Sequence, residues 1–218
     1  MLLISVAVAF GVGVGFTLLM TPRVIAFAHT RKLFDLPGER KMHQYPIPRL
    51  GGVVIWGAIV CATIAGLIAY LPHVHYTSKS GLLGLLFGSL FLLMVGLWDD
   101  LRGITPRGKL FGQIVASLIA IFGGVVISFF TLPWDGLMAL GLWSVPATLF
   151  WLVGGTNAMN LIDGLDGLAS GVALIASVTM MIVAIKLGHP HTAIVLSAVA
   201  GATLGFLWFN FHPAKIFL

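Results

Sequence analysis

Long apolar runs separated by short polar segments set the pattern of this chain. Seven of them, near 2–22, 51–71, 81–98, 110–132, 138–158, 168–187 and 192–211, approach the roughly 20 residues that a helix needs to cross a bilayer. Helices are expected throughout, because a segment surrounded by lipid must satisfy its backbone hydrogen bonds internally. The run from Met1 to Met20 has the apolar content of a signal peptide. It lacks a basic leader and an A-x-A cleavage site, however, and Arg23 follows directly, so it reads as a retained first span. The expected fold class is all-α: a polytopic membrane helix bundle of about seven transmembrane helices, folded as a single domain over residues 1–218. No internal repeat, low-complexity tract or heptad run interrupts it.

Composition mainly removes alternatives. With 59% hydrophobic and 9% charged residues, the chain lies outside the range of soluble domains, and lipid is its main solvent. Cys61, the single cysteine, sits in an apolar run, so neither a disulfide framework nor a cysteine-rich metal site is available. The net charge of +5 belongs to loops at a membrane, where it meets anionic lipid and phosphate; nucleic acid is discarded as a partner.

The placement of that charge orients the bundle. Arg23, Arg31, Lys32, Arg40, Lys41 and Arg49 fall between the first two spans, Arg102, Arg107 and Lys109 between the third and fourth, and Lys215 after the last. Only Lys79 and Lys186 lie toward the other face. Translocated short loops are poor in Lys and Arg, so the N-terminus is expected outside and Leu218 in the cytoplasm. Asp35, Glu39, Asp99, Asp100, Asp163 and Asp166 then share the cytoplasmic face, with Asp135 outside. Topology alone does not require so many acids there.

Three polar constellations account for them. Residues 35–52 read D-L-P-G-E-R-K-M-H-Q-Y-P-I-P-R-L-G-G. Prolines fix φ, and Gly51-Gly52 allows backbone to approach backbone, so an ordered basic loop is expected. It suits a phosphate, and suits equally an anchor at lipid headgroups. Next, Trp98-Asp99-Asp100 ends an apolar span. Adjacent carboxylates repel unless a cation or a basic group offsets them, and a hard divalent ion such as magnesium is a natural partner; a solvated helix terminus is the plainer alternative. Finally, Asn157, Asn160 and Asp163 step by three and precede Asp166, within N-A-M-N-L-I-D-G-L-D-G-L-A. On a helix that step makes one polar stripe. Amides and acids beside apolar spans cost several kcal/mol without partners, so they line a polar cavity, coordinate something, or knot helices together.

In this order the segments resemble the polyprenyl-phosphate N-acetylhexosamine 1-phosphate transferase superfamily (glycosyltransferase family 4). The resemblance runs from the first loop to N-F-H-P-A-K-I-F-L, residues 210–218. Arg40-Lys41-x-His43 and Pro48-Arg49-x-Gly51-Gly52 are most similar to the undecaprenyl-phosphate N-acetylglucosamine 1-phosphate branch, which primes teichoic acid, O-antigen or related polymers. The phospho-MurNAc-pentapeptide translocase branch of peptidoglycan synthesis matches less well at Gln44, Ile47 and Arg49. The resemblance implies transfer of a hexosamine 1-phosphate from a UDP-N-acetylhexosamine to undecaprenyl phosphate, with release of UMP. It implies Mg2+, with Mn2+ as a substitute, and a multi-pass protein of the bacterial inner membrane whose site faces the cytoplasm; it leaves homodimerisation open.

Carried over residue by residue, it makes Asp99, Asp100 and Asp163 catalytic, with Asp99, Asp100 and Asn160 toward the metal. It makes Lys41, His43, Arg49, Asn157, Asp166, Asn210 and Phe217 substrate-binding, the last three around the uridine base. Gly103 stands where some members have Asp or Lys. The family continues beyond H-P-A-K-I-F-L into G-D-x-G-S and a His-rich loop, so an incomplete enzyme is expected, with Asn210 and Phe217 on a frayed terminus. Two rivals fit less well. An ion-coupled transporter would hold its acids near mid-span, and a CDP-alcohol phosphotransferase requires an Arg soon after Asp166 that this sequence lacks.

Overall fold

The computed structural model describes residues 1–35, 46–71, 81–132, 134 and 136–218. In chain order these form α1 (Leu2–Arg31), β1 (Phe34–Asp35), β2 (Ile47–Pro48), α2 (Gly51–Tyr70), α3 (Leu82–Arg102), α4 (Pro106–Phe122), β3 (Phe129–Leu132), β4 (Gly136–Ala139), α5 (Ser144–Ile162), α6 (Leu168–Lys186) and α7 (Pro190–Asn210). The fold is nearly all-α, as the apolar pattern requires. Two short antiparallel strand pairs, β1 with β2 and β3 with β4, are additions to that pattern. The chain divides into two compact units, one of Met1–His75 with Ile162–Leu218 and one of Tyr76–Leu161.

The first unit is built around α7, whose Ala193, Ile194, Ala198, Ala200, Ala202 and Phe206 are all buried. In lipid, helices associate by close packing of small residues more than by expulsion of water. Gly13 of α1 meets α7 so closely that a Cβ there would lie 2.8 Å from the Ala202 nitrogen. Gly66 of α2 similarly faces Ile194 and Ala9. Across the same seam the Ser197 hydroxyl donates to the Val6 carbonyl at 2.7 Å. Helix α1 does not stop at residue 22 as its apolar run suggests. It continues through Pro22 to Arg31, and Lys32 then ends it in the left-handed region. At 30 residues, or about 45 Å at ~1.5 Å per residue, it is longer than the bilayer core, and Arg23 uses its guanidinium to cap the Leu19 carbonyl.

In the second unit α3 and α4 approach through Gly84, Gly88, Ala116, Ala120 and Gly123. The fourth expected span is cut short: α4 has 17 residues, ends at Gly123-Gly124, and gives way to the ribbon in which Phe129 pairs with Ala139 and Leu132 with Gly136. The next helix accordingly begins at Ser144 and not near 138. Of the helices, α1, α2, α3, α6 and α7 are long and apolar enough to cross a membrane. Helix α4 is too short by that measure, and α5 carries Asn157 and Asn160 within its 19 residues.

Candidate functional site

In the second unit, Asp99 lies in the last turn of α3. Its carbonyl accepts the Gly103 amide at 2.8 Å, and its Oδ1 accepts the Ile104 amide at 3.0 Å. Gly103, with φ of 71°, turns the chain out of the helix, a conformation that glycine adopts without steric cost. Thr105 caps α4 by accepting the Gly108 amide at 3.2 Å, and Pro106 takes the first helical position, where no N–H is needed.

This start puts Lys109 in the first turn of α4. Its Nζ is 3.0 Å from Asp99 Oδ2 and 3.3 Å from Asn160 Oδ1. One lysine therefore joins α3, α4 and α5. The pair is about one-third exposed, 33% and 27%, so it adds little to stability; its value is in fixing geometry. Asp100, the next residue, is exposed.

One turn along α4, on the same face as Lys109, lies Gln113, which is 2% exposed. It pairs with Asn157 of α5: Asn157 Nδ2 donates to Gln113 Oε1 at 2.8 Å, and Gln113 Nε2 faces Asn157 Oδ1 at 3.4 Å. Asn157 Nδ2 also donates to the Val153 carbonyl at 2.9 Å. A backbone carbonyl can only accept, so this contact fixes the orientation of the Asn157 amide, and that amide in turn fixes Gln113. Both N–H groups of Asn157 are thus used, and its remaining capacity is as an acceptor.

The first unit holds a second cluster. Asp166 precedes α6, and its Oδ2 accepts the Ala214 amide at 3.0 Å and lies 3.0 Å from His212 Nδ1. Buried Ser170 donates to Asn210 Oδ1 at 2.8 Å, while Asn210 Nδ2 donates to the Ile216 carbonyl at 2.9 Å. Phe217 then runs beside Arg49, its N–H donating to Pro48 at 2.9 Å and its carbonyl accepting from Gly51 at 3.0 Å. The expectation of a frayed terminus is therefore wrong: Asn210 is 3% and Ile216 0% exposed. Backbone pairing and a buried amide hold the segment from Asn210 to Phe217.

Asp163 lies exposed in the turn after α5, so the polar stripe of Asn157 and Asn160 ends before it. Lys41 and His43 fall outside the described residues. Lys109 and His212 appeared in the sequence only as neighbours of the motifs, and Gln113 and Ser170 went unremarked. Two signals were available for α4: Lys109 and Gln113 are four apart, and Gln113 is a lone amide inside an apolar run. Among the described residues no three of His, Cys, Asp and Glu converge on a metal position. Asp99 Oδ2 and Asn160 Oδ1, two of the oxygens expected to face magnesium, both face the Lys109 ammonium. In this arrangement the donor set does not by itself make a metal cage.

Fold and polar chemistry together define a multi-pass membrane protein that gathers acids, amides and a lysine at its helix ends. The chain belongs to Glycosyl transferase family 4, whose family model matches residues 82–218. It is 34% identical, over 99% of its own length and 58% of the relative's, to a probable undecaprenyl-phosphate N-acetylglucosaminyl 1-phosphate transferase of Bacillus subtilis. A decaprenyl-phosphate N-acetylglucosaminephosphotransferase of Mycobacterium tuberculosis is 35% identical, over 84% of this chain and 48% of that one. A phospho-N-acetylmuramoyl-pentapeptide-transferase of Campylobacter curvus is 33% identical, with 99% and 69% covered. The chain thus spans about half the length of the first two relatives.

Proposed function

We propose that this protein transfers N-acetylglucosamine 1-phosphate from UDP-N-acetylglucosamine to undecaprenyl phosphate, releasing UMP and starting a cell-envelope glycan. The observation that carries the reading is similarity along 99% of the chain to the Bacillus subtilis relative of that name. In the reaction an oxygen of the lipid phosphate attacks the β-phosphorus of the donor. A new P–O bond forms, the bond to the UMP oxygen breaks, and no covalent protein intermediate is required. Asp99, Asp100 and Asp163 are assigned to proton transfer and charge control. Lys109, already held by Asp99 and Asn160, offers a positive charge to the diphosphate.

Lys41, His43, Arg49 and Asn157 are assigned to the donor's polar groups. Asp166 and Asn210 are already bonded to the segment from His212 to Ile216, which supports a role in ordering the strand that presents Phe217 to the nucleobase. The setting is the bacterial cytoplasmic membrane with these groups toward the cytosol, where the excess of Lys and Arg lies. Mg2+, or Mn2+ in its place, belongs to the proposed reaction.

The test is release of UMP in vesicles containing undecaprenyl phosphate, with Mg2+, Mn2+ or chelator, by residues 1–218 and by the same sequence extended with the family's G-D-x-G-S and His-rich segment; residues 1–218 alone are expected to release almost none. From the extended protein, release from UDP-N-acetylglucosamine that depends on the lipid phosphate is expected. Faster release from UDP-N-acetylmuramoyl-pentapeptide would move the assignment to the function named for the Campylobacter curvus relative, and no release from any donor by the extended protein would overturn it.

A further inference from the structure

The β3–β4 ribbon has neither face covered. Phe129, Phe130, Leu137 and Met138 are all exposed, and Trp134 at the turn and Trp143 just beyond are 83% and 73% exposed. Between Phe122 and Trp143 the sequence has a single charged residue, Asp135. An isolated two-stranded ribbon is marginal in water, and a continuous exposed apolar patch marks a partner or a membrane.

Two opposing requirements then set a depth. The side chains favour hydrocarbon, while the outer edges of a two-stranded ribbon carry N–H and C=O groups that hydrocarbon cannot satisfy. The length of α4 supplies an independent observation. Its 17 residues span about 25 Å at ~1.5 Å each, short of a hydrocarbon core of roughly 30 Å. With the start of α4 at the headgroups on the Lys109 side, the segment that follows Phe122 begins near the opposite acyl boundary.

We infer that the β3–β4 ribbon and Trp143 form an interfacial lipid-binding element, seated between headgroups and acyl chains of the leaflet opposite the Asp99–Lys109 pair. Within this unit Asp99 closes α3 and Lys109 opens α4, whereas the ribbon follows the far end of α4. Tryptophan suits that depth because its ring is apolar and its indole N–H still reaches water or headgroups. With Asp135 as the one charge between Phe122 and Trp143, the segment suits the boundary between headgroups and acyl chains better than a polar protein partner, and the inference does not depend on which reaction the chain performs.

The chain has six tryptophans, so the full chain is prepared with Trp56, Trp98, Trp151 and Trp208 each changed to Phe and reconstituted in phosphatidylcholine vesicles. Bromine near the glycerol end of the acyl chain should quench Trp134 and Trp143 at least about twofold more than bromine near the methyl end, as interfacial burial requires. Should the depleted protein misfold, the same contrast can be read by difference. Against the unsubstituted protein, the Trp134→Phe, Trp143→Phe variant should lose the shallowly quenched component. Quenching by aqueous iodide alone would put the ribbon in water and overturn the inference. Stronger quenching by deep bromine would put it in the core, and insensitivity to every quencher would mean that protein covers it, such as a second copy; either overturns it as well.

Discussion

The Gln113–Asn157 pair shows how one backbone contact sets the chemistry offered by two side chains. Because the Val153 carbonyl orients Asn157, the pair acts as a unit, and Gln113→Leu removes a donor and an acceptor from a site that is nearly closed to solvent. A loss of about 1–3 kcal/mol in thermal unfolding of the detergent-solubilised protein is expected, the scale of leaving a buried amide unsatisfied. The double variant Gln113→Leu, Asn157→Leu should cost less than the sum of the single changes by roughly 0.5–3 kcal/mol, as for residues in direct contact; strict additivity would show that the two do not act together. At Asp99 the expected effect is on rate. Asn in that position can still accept the Ile104 amide but loses the charge that holds Lys109, so UMP release should fall roughly 100- to 1,000-fold. Asp135→Asn is the control, and an equal loss there would indicate a general stability effect. The Asp99-Asp100 pair and the Asn157, Asn160, Asp163 spacing were plain in the sequence. Lys109 was not assigned a role, because a basic residue beside a membrane span is the commonest kind there is.

At the scale of elements, sequence and structure part where an apolar run changes conformation without changing composition. The run 110–132 contains both the end of α4 and all of β3, and continuous apolar residues carry no periodicity that separates helix from strand. The 211–217 segment is the converse case. Its polar and proline residues look like an exit loop, and what orders it are bonds between residues 40 and 48 positions apart in the chain, which no local pattern reveals. Two substitutions test the ordering. Asn210→Ala leaves the Ile216 carbonyl without the Asn210 amide and should cost about 1–3 kcal/mol. Gly51→Ala would drive a Cβ against the Phe206 ring and the Phe217 carbonyl, and overpacking of this kind costs about 1–3 kcal/mol. Both variants should speed proteolytic trimming after Phe211 while leaving a site engineered before α3 unaffected. Unchanged trimming would mean that the segment is held by other contacts.

For the whole molecule, five of the seven expected apolar runs hold helices long and apolar enough to cross a membrane, since a bilayer leaves the backbone few alternatives. The membrane's direction rests on charge: along the sequence the Lys and Arg fall in alternate loops, with only Lys79 and Lys186 in the others. Each unit can be oriented separately in a Cys61→Ser background, because Cys61 is the chain's only cysteine. In the unit containing α3, Arg102→Cys is at the helix's last residue and Lys79→Cys precedes the helix in sequence. In the unit containing α7, Lys215→Cys follows that helix and His189→Cys precedes it. With intact cells and an impermeant maleimide, positions 79 and 189 should label, and positions 102 and 215 should label only after the membrane is opened, because Lys and Arg are retained on the cytoplasmic side. Labelling of 102 from outside would invert the unit containing α3 and remove the Asp99–Lys109 pair from contact with a cytosolic nucleotide sugar. Labelling of 215 from outside would do the same for Asp166 and Asn210, and either result would leave the proposed transfer without access to its donor.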